Sequence, residues 1–138
     1  MKIIRSTDLK YIPASHEDQK FPGVLKKVLL VKDDLVEGRT QMINWALLPT
    51  GKSFEAHYHE DMQEVFIILN GYAKIIIDNE EADLSKGDAV VIPLRSVHEM
   101  KNTGTEDVEY IAIGISLGQQ GKTVVLKQGT KVKKGVAS

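Results

Sequence analysis

The stretch GKSFEAHYHEDMQEVFIILNG, residues 51–71, carries two of the chain's four histidines separated by one residue, with a glutamate five positions past the second. Spaced by two, His57 and His59 project from one face of an extended strand, with Tyr58 on the other. On a helix the same pair would be turned about 200° apart, so convergence requires a strand. Glu64 follows the polar run EDMQ, which has the length of a turn, and opens the apolar run VFIIL. If 54–59 and 64–69 are adjacent antiparallel strands, Glu64 returns beside His59 and faces the same interior. Two imidazoles and a carboxylate then present a facial set of ligands.

A second stretch, GDAVVIPLRSVHEMKN at 87–102, supplies His98 after Pro93 and a turn, at the start of another strand. It can add a third imidazole. Mixed nitrogen and oxygen donors suit Fe, Mn, Zn, Ni or Co and suit calcium poorly. The expectation is one divalent metal ion per chain, held by His57, His59, Glu64 and His98. Four side chains on an octahedral ion leave positions for water, O₂ or a chelating substrate, as in a catalytic site. Cysteine is absent, which excludes thiolate ligands and disulfides together.

The rest of the chain frames these residues with strands. Short segments rich in Ile, Val, Phe, Tyr and Trp alternate with Gly, Pro, Asn and Asp. Strands are expected at 41–48, 54–59, 64–69, 72–78, 88–92, 97–101, 108–114 and 123–127, the pattern of an all-β sandwich or barrel. LNGYA reads as an Asn-Gly hairpin turn, and IDNEEADLSKGDAV as an acidic loop. With 138 residues the chain suits one domain: an arm at 1–27 with a short strand, a barrel at 28–127 and a basic tail at 128–138. Strand 64–69 is apolar on both faces, and NWALLP repeats the pattern, so a homodimer through the sheets is expected.

A formal net charge of -1 gives no reason to expect nucleic-acid binding. Apolar runs such as VFIIL are far shorter than a bilayer span, so no membrane partner and a cytoplasmic location are expected.

The two stretches resemble the motifs of the cupin superfamily, in particular its small single-domain members. Gly51, His57, His59, Glu64 and Gly71 match the first motif throughout; Gly87, Pro93, His98 and Asn102 match the second, with Arg95 in place of its turn glycine. The resemblance implies a double-stranded β-helix, the jelly-roll barrel, around the metal. Arginine at that turn must adopt another geometry or accept strain. Near the mouth of such a barrel, Arg95 is a catalytic candidate that can pair with a substrate carboxylate or phosphate, and Tyr58 is a second candidate at the entrance. Phe66, Ile68 and Met100 share faces with the ligands and make the pocket apolar, and Met42 and Asn44 contribute to it if their even-numbered face is inner. His16 has no motif partner and reads as a surface histidine.

The expected function is a divalent-metal-dependent enzyme acting on a small, oxygen-rich substrate. The inner faces look short of spare acids and bases, which favours dioxygenase-like chemistry. The alternatives are a metal-dependent isomerase or decarboxylase of a sugar or carboxylic acid, and a non-catalytic module that binds a small molecule or a metal.

Overall fold

The computed structural model describes residues 1–118 and 122–126, so the basic tail at 128–138 and the last residue of the strand expected at 123–127 lie outside the described residues. Among the described residues eleven strands follow one another: β1 (Ile12–Pro13), β2 (Leu25–Val31), β3 (Thr40–Leu48), β4 (His57–His59), β5 (Met62–Asn70), β6 (Ala73–Ile77), β7 (Glu80–Leu84), β8 (Ala89–Ile92), β9 (His98–Asn102), β10 (Val108–Ser116) and β11 (Thr123–Val125). Two sheets result, one of six strands in the order β1-β2-β3-β10-β5-β8 and one of five in the order β11-β4-β9-β6-β7.

Side-chain alternation dictates how the sheets meet. On β3, β5 and β10 the even-numbered residues point inward, so Asn44, Ala46, Leu48, Glu64, Phe66, Ile68, Val108, Tyr110 and Ala112 are buried. Ala73 and Ile75 from β6 and Met100 from β9 oppose them across the interior. Residues as large as Leu48 and Met100 are fully enclosed, at 0% exposure, and each such burial stabilises the sandwich by about 2 kcal/mol.

The expected closed barrel is not formed. Among the described residues no ladder joins the two sheets, and each keeps two edges, β1 and β8 in one, β7 and β11 in the other. The edge strands themselves give the physical reason. β7 presents exposed Glu80, Glu81 and Asp83, charges that resist pairing with a further strand, and β1 is two residues long and ends at Pro13, which has no N–H to offer.

Three connections also differ from expectation. Asn70-Gly71 is a crossing between sheets, because β5 and β6 belong to different ones. Gly71 has φ +87°, and a Cβ there would lie 2.8 Å from the Asp107 carbonyl oxygen, so the crossing needs the missing side chain. The true hairpin lies in the segment read as an acidic loop: Asp78 and Asn79 both have positive φ, and β6 pairs with β7 around them. Finally, β4 and β5 are not neighbours in a sheet but face one another across the sandwich.

The arm closes the interior from the side. β1 pairs with β2, and beyond it Glu17 is buried as the acceptor for three backbone N–H groups, those of Gly23, Val24 and Glu55. Gly23 is required where the arm passes the site, since a Cβ would fall 2.0 Å from the Ser53 carbonyl oxygen.

Candidate metal centre

Each of the four expected ligands is delivered by a strand. β4 pairs with β9 so that His57 sits opposite His98, which puts both imidazoles on the inner face of the five-stranded sheet. Glu64 comes from β5 in the other sheet. Its carboxylate Oε1 lies 2.8 Å from His59 Nε2 and 3.3 Å from His98 Nε2. One donor atom from each of His57, His59, Glu64 and His98 falls within 4.8 Å of the other three. The four residues converge by a route other than the expected one: the carboxylate arrives from across the sandwich, not from a neighbouring strand.

The outer nitrogens are committed elsewhere. His57 Nδ1 donates to the Glu55 carbonyl at 2.7 Å and His98 Nδ1 to the Ser96 carbonyl at 3.0 Å. A carbonyl only accepts, so both rings carry their proton on Nδ1 and turn an Nε2 lone pair inward. His59 Nδ1 meets the Thr123 hydroxyl at 2.8 Å, which can accept as readily as donate. Buried His98 Nε2 has no hydrogen-bond partner and faces a carboxylate oxygen. Lone pairs turned toward a carboxylate in a dry interior need positive charge between them, and a divalent cation supplies it. The donor set therefore fits the expected metal.

Electrostatics agree. Burial by itself would raise the Glu64 carboxyl, but the hydrogen bond with His59 and the closeness of His59 and His98 overcome it and hold the group well below the usual carboxylate range. Burial, with His98 and His16 nearby, pushes His57 well below an ordinary imidazole. A neutral imidazole and an ionised carboxylate are the forms that ligate.

His16 corrects the sequence reading. It is not a surface residue: its ring stacks on His57 with centroids 3.9 Å apart, Nε2 is buried without a partner, and burial pushes it down to about 4. Tyr110 was also missed. It lies at 3% exposure against Phe66, and burial together with the Glu64 and Glu17 carboxylates raises its phenol well above the usual value. The inward parity of β10 was a signal for Tyr110, whereas nothing local to PASHED announced that the arm would fold against the site. Asn44 does face inward, and its Oδ1 is buried and unpartnered.

The two catalytic candidates sit apart from this interior. Arg95 is exposed, and its backbone N–H donates to the His59 carbonyl at 2.9 Å. It accepts the strain, with φ +63°, in the conformation a glycine would take. Tyr58 pairs with Val124 of β11 and, by alternation, points away from His57 and His59. No helix among the described residues is long and apolar enough to cross a membrane.

Comparison with known proteins fits this geometry. The family model "Cupin domain" matches residues 44–114, from inward-facing Asn44 through all four clustered side chains to Gly114, the β10 neighbour of Glu64. An uncharacterized protein of Methanocaldococcus jannaschii is 31% identical over 104 residues, 75% of this chain and 79% of that protein. The oxalate-binding protein of Thermotoga maritima is 25% identical over 95 residues, covering 69% of this chain and 78% of that one. A crystal structure of a predicted oxalate decarboxylase from the same organism superposes with TM-score 0.74 at 26% identity, over 84% of this chain and 100% of the other. With the motif residues gathered in one place and the match spanning them, this chain belongs to the cupin family.

Proposed function

We propose that the chain is a divalent-metal enzyme that decarboxylates or isomerises a small carboxylic acid bound to the metal. One observation carries the reading: three imidazole nitrogens and one carboxylate converge within 4.8 Å in the interior, with the outer nitrogens already satisfied. A metal held by His57, His59, Glu64 and His98 supplies Lewis-acid polarisation of substrate oxygen at its free positions.

The chain's own residues do the rest. Phe54, Phe66 and Met100 line the surroundings of the histidines and exclude water, which strengthens every charge interaction there. Tyr110 stays a neutral phenol, able to donate a proton to a hydrogen bond, and Asn44 Oδ1 is a free acceptor for a substrate hydroxyl. His16 holds the outer face of the His57 ring.

The expectation of oxygen chemistry rested on a shortage of interior acids and bases. Tyr110 and His16 remove that shortage, and the similar Thermotoga maritima proteins are described in terms of oxalate binding and decarboxylation. Non-oxidative chemistry is the better-supported alternative. The test is turnover of a panel of small hydroxy and keto acids by metal-loaded protein under argon and in air, followed by NMR. Equal rates in both, with no O₂ consumed, support the proposal; a strict requirement for O₂ overturns it.

A further inference from the structure

A cavity of about 330 Å³ opens next to the metal centre, with His59 in its wall. That volume lies within the range of small-ligand pockets, and a two-carbon chelator would leave most of it to water. Its position is set by the ends of strands from both sheets. Gln41 and Ser116 come from β3 and β10, and Lys122 and Thr123 from the edge of the other sheet. Lys32, just after β2, completes the rim.

The single ring of His59 joins cavity and centre: Nδ1 meets the cavity residue Thr123, while Nε2 meets Glu64. Met62 also lines the cavity, and its sulfur packs over Gly114, the residue paired with Glu64. A flexible thioether thus forms part of the cavity wall, beside the backbone neighbour of Glu64. The charge in the cavity is one-sided. Among the described residues that line it, two lysines face one carboxylate, Asp61, which is itself buried and engaged by the Ser116 hydroxyl at 3.4 Å. The Gln41 amide and the hydroxyls add neutral hydrogen-bonding groups suited to alcohols.

We propose that this cavity binds a second, anionic end of the substrate, read by Lys32 and Lys122, while the first end reaches the metal. Resting on the metal-enzyme reading above, it narrows the substrate to a hydroxylated acid with two separated polar ends, the distal one a carboxylate or a phosphate. A minimal chelator such as a two-carbon acid lacks that distal contact.

Calorimetry on the manganese-loaded full chain tests this with glycolate, which lacks a distal anion, tartrate, which adds a carboxylate, and 3-phosphoglycerate, which adds a phosphate. At least one distal anion should bind tenfold or more tighter than glycolate. In the Lys32→Gln/Lys122→Gln double variant that preference should vanish, with metal content and glycolate affinity unchanged; which anion shows the preference identifies the distal group. Equal affinities for all three, or a preference that survives the double substitution, overturn the proposal. Metal content separates the two readings: should no metal be retained, tartrate and inorganic phosphate are titrated into the metal-free protein and the amide signals of Gln41 and Thr123 followed by NMR. Shifts abolished by the double variant then sustain the anion site on its own, and their absence ends it.

Discussion

The imidazole of His59 and the carboxylate of Glu64 belong to different sheets, yet they meet at 2.8 Å across the sandwich. Without a metal, His59 Nε2 must carry a proton to make that contact; with one, the proton moves to Nδ1 and is donated to Thr123. Glu64 is thus a ligand held by inter-sheet packing and not by a ladder to β4. Glu64→Gln keeps the shape and removes the charge, so metal affinity should fall at least tenfold with the circular dichroism of the strands unchanged. Unaltered affinity by metal titration would show that the carboxylate is not a ligand.

Arg95 occupies a left-handed conformation that a glycine adopts freely. Its backbone N–H still reaches the His59 carbonyl, so the turn is anchored with or without the side chain. Arg95→Gly relieves steric strain but adds freedom to the unfolded chain, and the net expectation is a gain of roughly 0.5–1 kcal/mol in denaturant unfolding. A loss of stability would mean that the arginine side chain makes contacts that outweigh its backbone.

Much of the centre was legible in the sequence because alternation along a strand is a local property. His57 and His59 share an inward bias from spacing alone, and the motifs named Glu64 and His98. Sheet membership was not legible, since it depends on which strands pair at long range: Asn70-Gly71 looks like a hairpin and is a crossing, while Asp78-Asn79 looks like a loop and is the hairpin. Barrel closure failed for the same reason, being decided by edges such as β7 whose charges matter only once a neighbour is proposed. His16 escaped because its stacking on His57 is set by the buried Glu17 anchor and not by any pattern around residue 16.

That anchor is itself testable. Glu17 accepts from Gly23 and Val24 through one oxygen and from Glu55 through the other. In Glu17→Gln an amide N–H₂ must face at least one of these N–H donors, leaving buried donors unsatisfied. Chemical denaturation should show a loss of about 2 kcal/mol. A neutral effect would show that the arm is not held by this residue.

Acid should destabilise the metal-free protein before it protonates most carboxylates. His16 is pushed down to about 4 by burial, against 6.5 when unfolded, and His57 is lowered as well. A group with a depressed folded value contributes stability that is complete above its unfolded value and is lost as pH falls through the folded one. Between pH 7 and 4 the His16 contribution amounts to on the order of 3 kcal/mol, and depressed Glu64 adds a further loss below the ordinary carboxylate range. Melting of chelator-treated protein from pH 7.5 to 4 should fall steadily from about 6.5 downward; a flat profile would place both histidines in water.

The outward face of the six-stranded sheet remains apolar. Ile43, Ile113, Val65 and Val91 are successive cross-strand neighbours, and Trp45, Ile111 and Ile67 form the next row. Such a patch suits a second copy of the chain. Sedimentation velocity at micromolar concentration should give a dimer that Ile113→Asp dissociates; a monomeric wild type would contradict the assignment.

The most direct measurement is elemental analysis of protein purified without added metal, set beside the same analysis of His98→Ala. The geometry predicts close to one transition-metal ion per chain, with occupancy collapsing in the variant while the strands persist. Wild-type protein that retains no divalent ion, and whose melting temperature is unmoved by added Mn, Fe, Zn, Ni or Co, would contradict a metal centre at His57, His59, Glu64 and His98.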